Sequence, residues 1–399
     1  MSVKTCPNVL LLVDQRASRW SSQEDFCLHM SKCLVSNSAR CVVVYSSSPT
    51  RAVARALTDA GAVLDVACQH EMSLLGLCRK IRRLCHQYRI DVVHSHHYVP
   101  SSRLIAALAL SLPCPVIVGD CTGGEGKPRR GLSRRLFHAF NRAMNGPVAG
   151  IIAPSYFVWE RLVHYRGIPE QKVWHIPNGV NLGRFRRREP SQIREKLGLS
   201  SEQPLILTAG NLLPLKAVDV LLLAFARILE EYPTSMLAIV GDGPERATLE
   251  KLAQESGISS RSRFLGERSD MPDLLSASVI FCCPSIWAEA FGWVNIEAMA
   301  CKVPVVSTTT GAIPEVVEDG RTGLLVPPRE PNAMAAAIRE LLASAERRKT
   351  MGNAGRHRVE QLFDLRRTID RCIEVYAKIV ACRSTRNSAV GRPSLRRVR

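Results

Sequence analysis

The chain has 399 residues, of which 46% are apolar and 23% charged, and these proportions are those of a folded globular protein. This length exceeds what one ordinary core accommodates, so two domains are expected. Because no run of about 18 apolar residues occurs, a transmembrane helix is not predicted. The N-terminus lacks the pattern of a signal peptide, which predicts a cytoplasmic location. The fourteen cysteines form no C-x-x-C pair, which favours free thiols over a zinc site.

The net charge of +18 is distributed unevenly. Residues 1–190 carry +14, residues 191–381 carry −2 and residues 382–399 carry +6. A basic first half favours an anionic partner such as a membrane surface, although a solvated basic surface without a partner has the same composition. No nucleic-acid-binding motif accompanies the charge, so no nucleic-acid partner is expected.

Short apolar runs alternate with longer amphipathic stretches, which is the pattern of a doubly wound α/β sheet. In the first half we predict strands near 8–13, 41–45, 62–66, 91–94, 115–118, 149–153 and 172–176, and helices that include 71–88 and 130–144. In the second half we predict strands near 205–209, 236–241, 262–265, 279–283, 303–307 and 323–326, and helices that include 216–231, 244–256, 291–301 and 332–343. The predicted fold class is α/β, with two Rossmann-like doubly wound domains that face each other across a cleft.

An Arg-rich segment bounded by Gly and Pro, residues 181–190, predicts the linker between the domains. We expect a first, acceptor-side domain at 1–185 and a second, ligand-binding domain at 186–364. A helix at 365–381 is expected to pack back toward the first domain, and residues 382–399 are expected to form a basic disordered tail. The cleft between the domains is the expected place for a ligand.

Two glutamates eight residues apart, Glu289 and Glu297, lie at the predicted start of a helix that follows an apolar strand. Ligands of open α/β sheets bind there, because helix N-termini present free N–H groups that suit a phosphate. Phe291 and Gly292 lie at the turn, where a glycine permits close backbone approach. This pattern predicts a nucleotide-sugar site, with one carboxylate at the sugar and the other at the ribose. The alternative is one surface helix residue and one loop carboxylate.

Gly210 and Asn211 form a turn after another strand, and Lys216 opens the next helix, where its ammonium group can reach a diphosphate. The Gly-Asp-Gly-Pro run at 241–244 is predicted to be mainly a structural turn. No Asp-x-Asp occurs, so no metal ion or other cofactor is expected. Lys216 and backbone dipoles are predicted to neutralise the leaving group instead.

His96 is one of three histidines at the end of the strand near 91–94. An imidazole there could hydrogen-bond a sugar hydroxyl or the acceptor. The Gly-rich run at 120–127 lacks the spacing of a P-loop, so it is predicted to be a flexible loop near the acceptor.

These segments together resemble the retaining, NDP-sugar-dependent glycosyltransferases of group 1, family four, which have the GT-B fold. The resemblance rests on the Glu-x7-Glu block at 289–297 and its continuation to 317, on Ile-Pro-Asn-Gly-Val-Asn at 176–181 and on Val-Gly-Asp-Gly-Pro at 240–244. It covers about residues 20–380.

The resemblance implies a role for each candidate residue. Glu297 would hold the ribose hydroxyls, and Glu289 would lie by the donor sugar and its reacting region. Phe291 and Gly292 would offer backbone amides to the donor. Lys216 would bind the diphosphate, and His96 would lie near the sugar and the acceptor. Glu289 and His96 are thus the expected catalytic residues, and donor binding is expected from Gly210, Asn211, Lys216, Phe291, Gly292 and Glu297.

The chain departs from the family pattern at three places. Asn211 stands where the family usually has Arg, Ala217 stands where it usually has Gly, and the segment 14–22 has no glycine loop. Losing the cation at 211 is expected to weaken diphosphate binding or to change the donor preference. Arg16 and Arg19 are candidates to replace it.

The implied function is transfer of a hexosyl group from a UDP- or GDP-sugar to an acceptor hydroxyl with retained configuration. Lipid-linked glycan, lipopolysaccharide or exopolysaccharide assembly is the expected context, with a glycan or a lipid-linked molecule as acceptor. A peripheral position on the inner face of an anionic membrane is a further expectation. Two alternatives stay open, namely a catalytically inactive nucleotide-sugar-binding protein and an NDP-sugar epimerase of the same fold.

Overall fold

The computed structural model describes residues 6–14, 20–68, 71–96, 101–123, 130–200 and 202–390, with side chains only as far as residue 383 in the last helix. In these ranges, continuous apolar runs form parallel strands that are buried on both faces, as in Val9–Val13. The strands are β1 (Val9–Val13), β2 (Cys41–Tyr45), β3 (Val63–Val66), β4 (Val92–His96), β5 (Val116–Gly119), β6 (Gly150–Ala153), β7 (Val173–His175), β8 (Leu205–Ala209), β9 (Met236–Val240), β10 (Ser262–Gly266), β11 (Ile280–Cys283), β12 (Val305–Thr308) and β13 (Gly323–Val326).

Amphipathic helices connect the strands and cover both faces of each sheet. Some of them begin with a side-chain cap, such as the capping box of Ser21 and Glu24 at the first helix. The helices are α1 (Ser22–Ser36), α2 (Arg51–Asp59), α3 (Leu74–Tyr88), α4 (Arg103–Ser111), α5 (Gly131–Asn145), α6 (Tyr156–Glu160), α7 (Ser191–Lys196), α8 (Val218–Ile228), α9 (Arg246–Glu255), α10 (Met271–Ala277), α11 (Trp293–Ala300), α12 (Ile313–Val316), α13 (Pro331–Ala343), α14 (Ala345–Leu362) and α15 (Leu365–Val390).

Two parallel sheets organise the described part of the chain. The first has the order β3-β2-β1-β4-β5-β6-β7, and the second has the order β10-β9-β8-β11-β12-β13. The predicted pair of doubly wound α/β domains is therefore confirmed. The strand order reverses between β1 and β4 and again between β8 and β11. Ligands of such sheets bind outside the carboxyl ends of the strands at these switch points.

The chain passes between the domains at two points that lie side by side. The first follows β7, and the second lies between α14 and α15. Val180 donates its N–H to the carbonyl oxygen of Phe363 at 2.9 Å, and Leu365 donates its N–H to the carbonyl oxygen of Val180 at 3.2 Å. The two crossings therefore form one hydrogen-bonded junction.

The predicted linker at 181–190 packs onto the second domain instead of bridging the two domains freely. Phe185 is 1% exposed in the core of that domain. Arg188 donates to Asp273 at 2.9 Å on α10. Two of its four arginines form ion pairs, Arg184 with Asp25 and Arg188 with Asp273, so the segment is held in place rather than freely solvated.

The C-terminal helix returns to the first domain, where Ile369, Cys372 and Tyr376 join the core beside α1. It continues to Val390, whereas the sequence predicted a helix at 365–381 and a disordered tail from 382. The reason is that no Gly or Pro interrupts the helix before Gly391. The rest of the predicted tail, 391–399, lies outside the described residues. No described helix is long and apolar enough to cross a bilayer.

Candidate active site

A cavity of about 420 Å³ opens at the switch point of the second domain. The segments after β8 and β11 line it, together with Cys121 and Gly123 from the loop after β5 of the first domain. Such a volume at a domain boundary suits a small-molecule ligand. Six of the eight predicted site residues line this cavity: Gly210, Asn211, Lys216, Glu289, Phe291 and Gly292.

The turn after β8 is held in place by the turn after β9. Gly210 donates its N–H to the carbonyl oxygen of Val240 at 3.0 Å, and Leu212 donates to that of Asp242 at 2.9 Å. A β-carbon on Gly241 would lie 1.9 Å from the carbonyl oxygen of Gly210, so only glycine fits there. The Gly-Asp-Gly-Pro turn thus supports the backbone that lines the cavity, which agrees with its predicted structural role.

Lys216 and Glu289 form an ion pair inside the cavity, with Nζ 2.5 Å from Oε1. The Ser285 hydroxyl donates to the same carboxylate oxygen at 2.9 Å and so fixes its position. Burial acts to lower the pKa of the Lys216 ammonium, but the nearby Glu289 carboxylate and Cys283 outweigh it, so this pKa lies above its ordinary value. The lysine is therefore cationic at neutral pH and can attract a diphosphate.

The N-terminus of α11 forms another side of the cavity. Gly292 caps the helix at φ +87°, a left-handed conformation that favours glycine. The first N–H groups of a helix have no partner inside it, so this end suits an anion. The ring of Phe291 is buried and meets the ring of Phe363 edge-on at 5.4 Å. Phe291 can therefore offer a ligand its backbone rather than its side chain.

Glu297 lies one turn inside α11 and does not line the cavity. Its Oε1 accepts a hydrogen bond of 2.5 Å from the hydroxyl of Ser22, the first residue of α1 in the other domain. The positive end of the α1 dipole stabilises a carboxylate there. The two glutamates are thus separated, with Glu289 in the cavity and Glu297 at the contact between domains. The ribose contact of Glu297 stays a prediction.

His96 ends β4 at the switch point of the first domain and is also outside the lining of the cavity. It is buried, with Nε2 3.1 Å from Nδ1 of His94 and its ring 4.6 Å from the ring of Phe26. His94 Nδ1 lies 2.5 Å from the hydroxyl of Tyr376 on α15. Burial lowers the pKa of His94 to about 3, so its imidazole is neutral at pH 7. The contact of His96 with a sugar or acceptor stays a prediction.

Sequence reasoning missed Arg161, which holds the first-domain loop at the cavity. Its guanidinium lies 2.9 Å from the carboxylate of Asp120 and donates to the carbonyl oxygens of Thr122 and Gly123 at 2.6 and 2.9 Å. The described part of the predicted flexible loop is therefore fixed. No local signal could reveal this, because Arg161 is 41 residues from Asp120.

The same loop touches the second domain at Trp287. A β-carbon on Gly123 would lie 2.2 Å from Trp287 Nε1, so a larger residue would force the domains apart at this contact. Arg16 and Arg19, the proposed substitutes for the cation missing at Asn211, lie outside the described residues. Within the described ranges, no group of three or more His, Cys, Asp or Glu side chains is placed to hold a metal ion.

Two family models match the chain in succession. Residues 23–184 match the model described as glycosyltransferase family 4, and residues 190–358 match the model described as glycosyl transferases group 1. The two matches correspond to the two domains and meet just after the junction between them.

Similar proteins include a GDP-mannose-dependent monoacylated alpha-(1-6)-phosphatidylinositol monomannoside mannosyltransferase of Corynebacterium glutamicum. It is 37% identical over 47% of this chain and 51% of its own length. A D-inositol 3-phosphate glycosyltransferase of Streptomyces bingchenggensis is 31% identical over 72% of this chain and 66% of its own length. The matches thus span about half to two thirds of these relatives.

Solved structures share the fold over nearly the whole chain. A glycosyltransferase from Rickettsia africae has a TM-score of 0.80 at 21% identity and covers 94% of this chain and 99% of its own. Alr3699/HepE from Anabaena, in complex with UDP, has a TM-score of 0.75 at 21% identity and covers 92% of this chain and 99% of its own. At these identities the likeness establishes the fold alone.

Proposed function

The chain belongs to the group 1 glycosyltransferases of family 4, and on this premise we propose that it transfers a hexosyl group from a UDP- or GDP-sugar to an acceptor hydroxyl with retained configuration. The observation that carries the proposal is the Lys216–Glu289 pair in the cavity beside the N-terminus of α11. A cation and a set of free N–H groups that face one cavity suit the diphosphate of such a donor.

The chemical difficulty of this transfer is the negative charge that develops on the departing diphosphate. Preorganised cations and N–H groups stabilise such charge without reorganisation during the reaction. Lys216 would supply the cation and the backbone near Gly292 the N–H groups. No metal ion is part of this proposal. Closure of the two domains around the donor would exclude water and limit its hydrolysis.

For retention we propose that the leaving phosphate itself accepts the proton of the acceptor hydroxyl on the same face of the sugar. A double displacement would instead need a carboxylate nucleophile on the opposite face. The Glu289 carboxylate is engaged by Lys216 and by the Ser285 hydroxyl, which suits a residue that orients charge rather than one that attacks carbon.

Similar proteins and the chemistry of this chain suggest the donor and the acceptor. One relative is named as dependent on GDP-mannose, and one structural neighbour is described with bound UDP, so both nucleotides are tested. A lipid-linked or glycan acceptor is proposed because the first half of the chain is basic, which suits phosphorylated or membrane-bound acceptors.

The decisive experiment measures the melting temperature of the full chain with UDP, GDP, UDP-glucose and GDP-mannose, because a ligand of the folded state raises stability by mass action. We expect one nucleotide class to raise it, and we expect Glu297→Ala and Lys216→Met to weaken this effect about tenfold or more in apparent affinity. Lys349→Met, at an exposed lysine of the second domain, is the matched control. Unchanged affinity in Lys216→Met for every nucleotide would overturn the proposed donor site, and unchanged affinity in Glu297→Ala would overturn the proposed ribose contact.

Product analysis then separates the alternatives. Transfer to an acceptor, or slow hydrolysis of the donor, supports a transferase, whereas binding without either reaction indicates an inactive binding protein. Conversion of the free donor into its epimer indicates an epimerase. A chelator is expected to leave transfer unchanged, and abolished activity that Mg²⁺ restores would contradict the metal-free proposal.

A further inference from the structure

Helix α5 (Gly131–Asn145) buries two amide side chains and exposes three large apolar ones, unlike an ordinary surface helix. Asn141 and Asn145 are each 2% exposed. The large apolar side chains of Leu132, Leu136 and Phe140 are 70%, 63% and 56% exposed. An ordinary amphipathic helix buries its apolar side and exposes its amides. The exposed apolar residues follow the spacing i, i+4, i+8, so they share one side of the helix.

Both buried amides of α5 accept hydrogen bonds from Ser101, so this orientation is built into the fold. The Ser101 hydroxyl donates to Asn141 Oδ1 at 2.8 Å, and its N–H donates to Asn145 Oδ1 at 3.1 Å. Arg142 Nε donates to the carbonyl oxygen of Gly167 at 3.1 Å. Rotating the helix to bury its leucines would break these bonds. The exposed apolar side is thus a specified feature of the surface.

The charge around this stripe identifies what it fits. Within α5 there are three arginines and no acidic residue, and a fourth arginine, Arg130, directly precedes the helix. The exposed Arg134 and Arg135 lie in the same turns as Leu132 and Leu136. A helix that combines an apolar side with basic side chains lies in the plane of an anionic bilayer, with its apolar residues at the acyl boundary. A protein partner with an apolar groove would not require arginines without any acidic residue beside them.

We propose that α5 docks the first domain on an anionic membrane surface through Leu132, Leu136 and Phe140, with Arg134 and Arg135 at the lipid headgroups. The chain connection limits how far this surface lies from the cavity. Only six residues separate Gly123, which lines the cavity, from Arg130, so their Cα atoms are at most about 25 Å apart. Docking through α5 would therefore keep the cavity close to the bilayer. The docking is independent of the proposed transfer, although its use to present a lipid-linked acceptor rests on that function.

The test is sedimentation of the full chain with vesicles of phosphatidylcholine alone and of phosphatidylcholine mixed with phosphatidylglycerol. We expect binding to the mixed vesicles at low salt and much weaker binding to the neutral ones. Since one buried leucine contributes roughly tenfold to a partition constant, Leu136→Ser should weaken binding about tenfold, and Leu132→Ser/Leu136→Ser/Phe140→Ser should abolish it. Arg134→Glu/Arg135→Glu should also remove binding.

Matched controls lie on the second domain. Leu223→Ser changes a leucine that is 36% exposed, and Lys251→Glu/Lys349→Glu makes the same charge change at two exposed lysines, so both should bind as the wild type does. Melting temperatures and nucleotide binding of every variant verify that it is folded, and they report on the donor site separately. Equal binding by the triple variant and the wild type would overturn the proposal. Failure of the wild type to bind anionic vesicles would overturn it as well. A dimer of the wild type that the triple variant lacks, with no vesicle binding, would assign the surface to a second copy instead.

Discussion

Glu315 of the second domain caps a helix of the first domain at Phe157. Its Oε1 accepts the backbone N–H of Phe157 at 2.6 Å, and its Oε2 accepts that of Tyr156 at 2.7 Å, both in the first turn of α6. Ser155, at the same helix start, donates its hydroxyl to the carbonyl oxygen of Ala290 at 2.7 Å. Two N–H groups at the start of α6 thus bond to the opposite domain, while Ser155 caps Val158 at 3.1 Å from within the first domain.

We expect Glu315→Ala to destabilise the protein by about 1–2 kcal/mol, because a lost cap leaves helix N–H groups without an acceptor. Calorimetry should show a melting temperature lower by about 2–4 °C for each kcal/mol. Glu315→Gln keeps one carbonyl acceptor and should lie between the alanine variant and the wild type. Identical melting of all three proteins would mean that this contact contributes nothing to stability.

The Lys216–Glu289 pair gives a prediction about coupling. Lys216→Met should weaken nucleotide diphosphate binding, whereas Glu289→Gln should lower the transfer rate more than donor affinity, because it leaves the cation in place. The two changes share one interaction, so the double variant should be less impaired than the sum of the single effects. Isothermal titration measures the donor affinity, and initial rates measure the transfer rate. Strict additivity in both would show that the residues act independently.

Asn211 lines the cavity on the same side as Lys216, at the position where the family pattern has arginine. We expect Asn211→Arg to tighten UDP or GDP binding by roughly tenfold, because an added charge-assisted hydrogen bond to a phosphate typically contributes this much. The gain should shrink as salt is raised. Asn211→Gln is the control for size without charge. An arginine variant with wild-type affinity at every salt concentration would mean that the diphosphate lies out of reach of this position.

Ala217 has φ +48°, which is costly for any residue with a β-carbon. Ala217→Gly should therefore stabilise the protein by up to about 1 kcal/mol, although glycine in an ordinary helix destabilises by a similar amount. Ala224→Gly, in the interior of α8, is the contrasting control and should destabilise. Urea unfolding of the three proteins makes the comparison. A loss of stability in both variants would contradict the left-handed conformation at 217.

His94 gives the stability a pH dependence. Its pKa is lowered by burial to about 3, whereas an unfolded chain has a histidine pKa of about 6.5. Below pH 6.5 the unfolded state binds a proton at His94 and the folded state does not. The contribution of His94 to the free energy of unfolding is therefore fully present above pH 6.5 and is lost as the pH falls toward 3. Between pH 7 and pH 5 the loss is about 2 kcal/mol.

Urea unfolding of His94→Asn and the wild type at the two pH values checks this prediction. The variant should lose less stability on acidification, by up to about 2 kcal/mol. Burial and Arg371 lower the pKa of His175 to about 4, and this contribution is the same in both proteins, so it cancels in the comparison. Parallel losses in the two proteins would mean that His94 is protonated in the folded state.

The strands were predictable because most are short apolar runs between turn residues. The observed bounds agree with the predicted ones to within two residues, as at β8, Leu205–Ala209. Strands buried on both faces of a parallel sheet are largely apolar, so they stand out in the sequence. The residues that line the cavity were predictable for a related reason, since they follow strand ends at a switch point.

The contacts between domains could not be predicted, because they join residues with no local relation. Ser22 and Glu297 are 275 positions apart. Serine is common at helix starts for local reasons, so its presence there does not indicate a distant partner. Asp25 and Arg184 likewise pair across the boundary at 2.9 Å. An Arg-rich segment indicates solvent exposure unless its acidic partners are known.

The paired crossings at Val180 and Asp364 form a junction that suits a hinge between the two domains. Since both connections meet in one parallel bridge, a rotation there needs few torsion changes and leaves both halves intact. A rotation about such a pivot would separate Gly123 from Trp287, which meet beside the cavity. One hinge rotation would thus admit a ligand to the cavity in one direction and enclose it in the other.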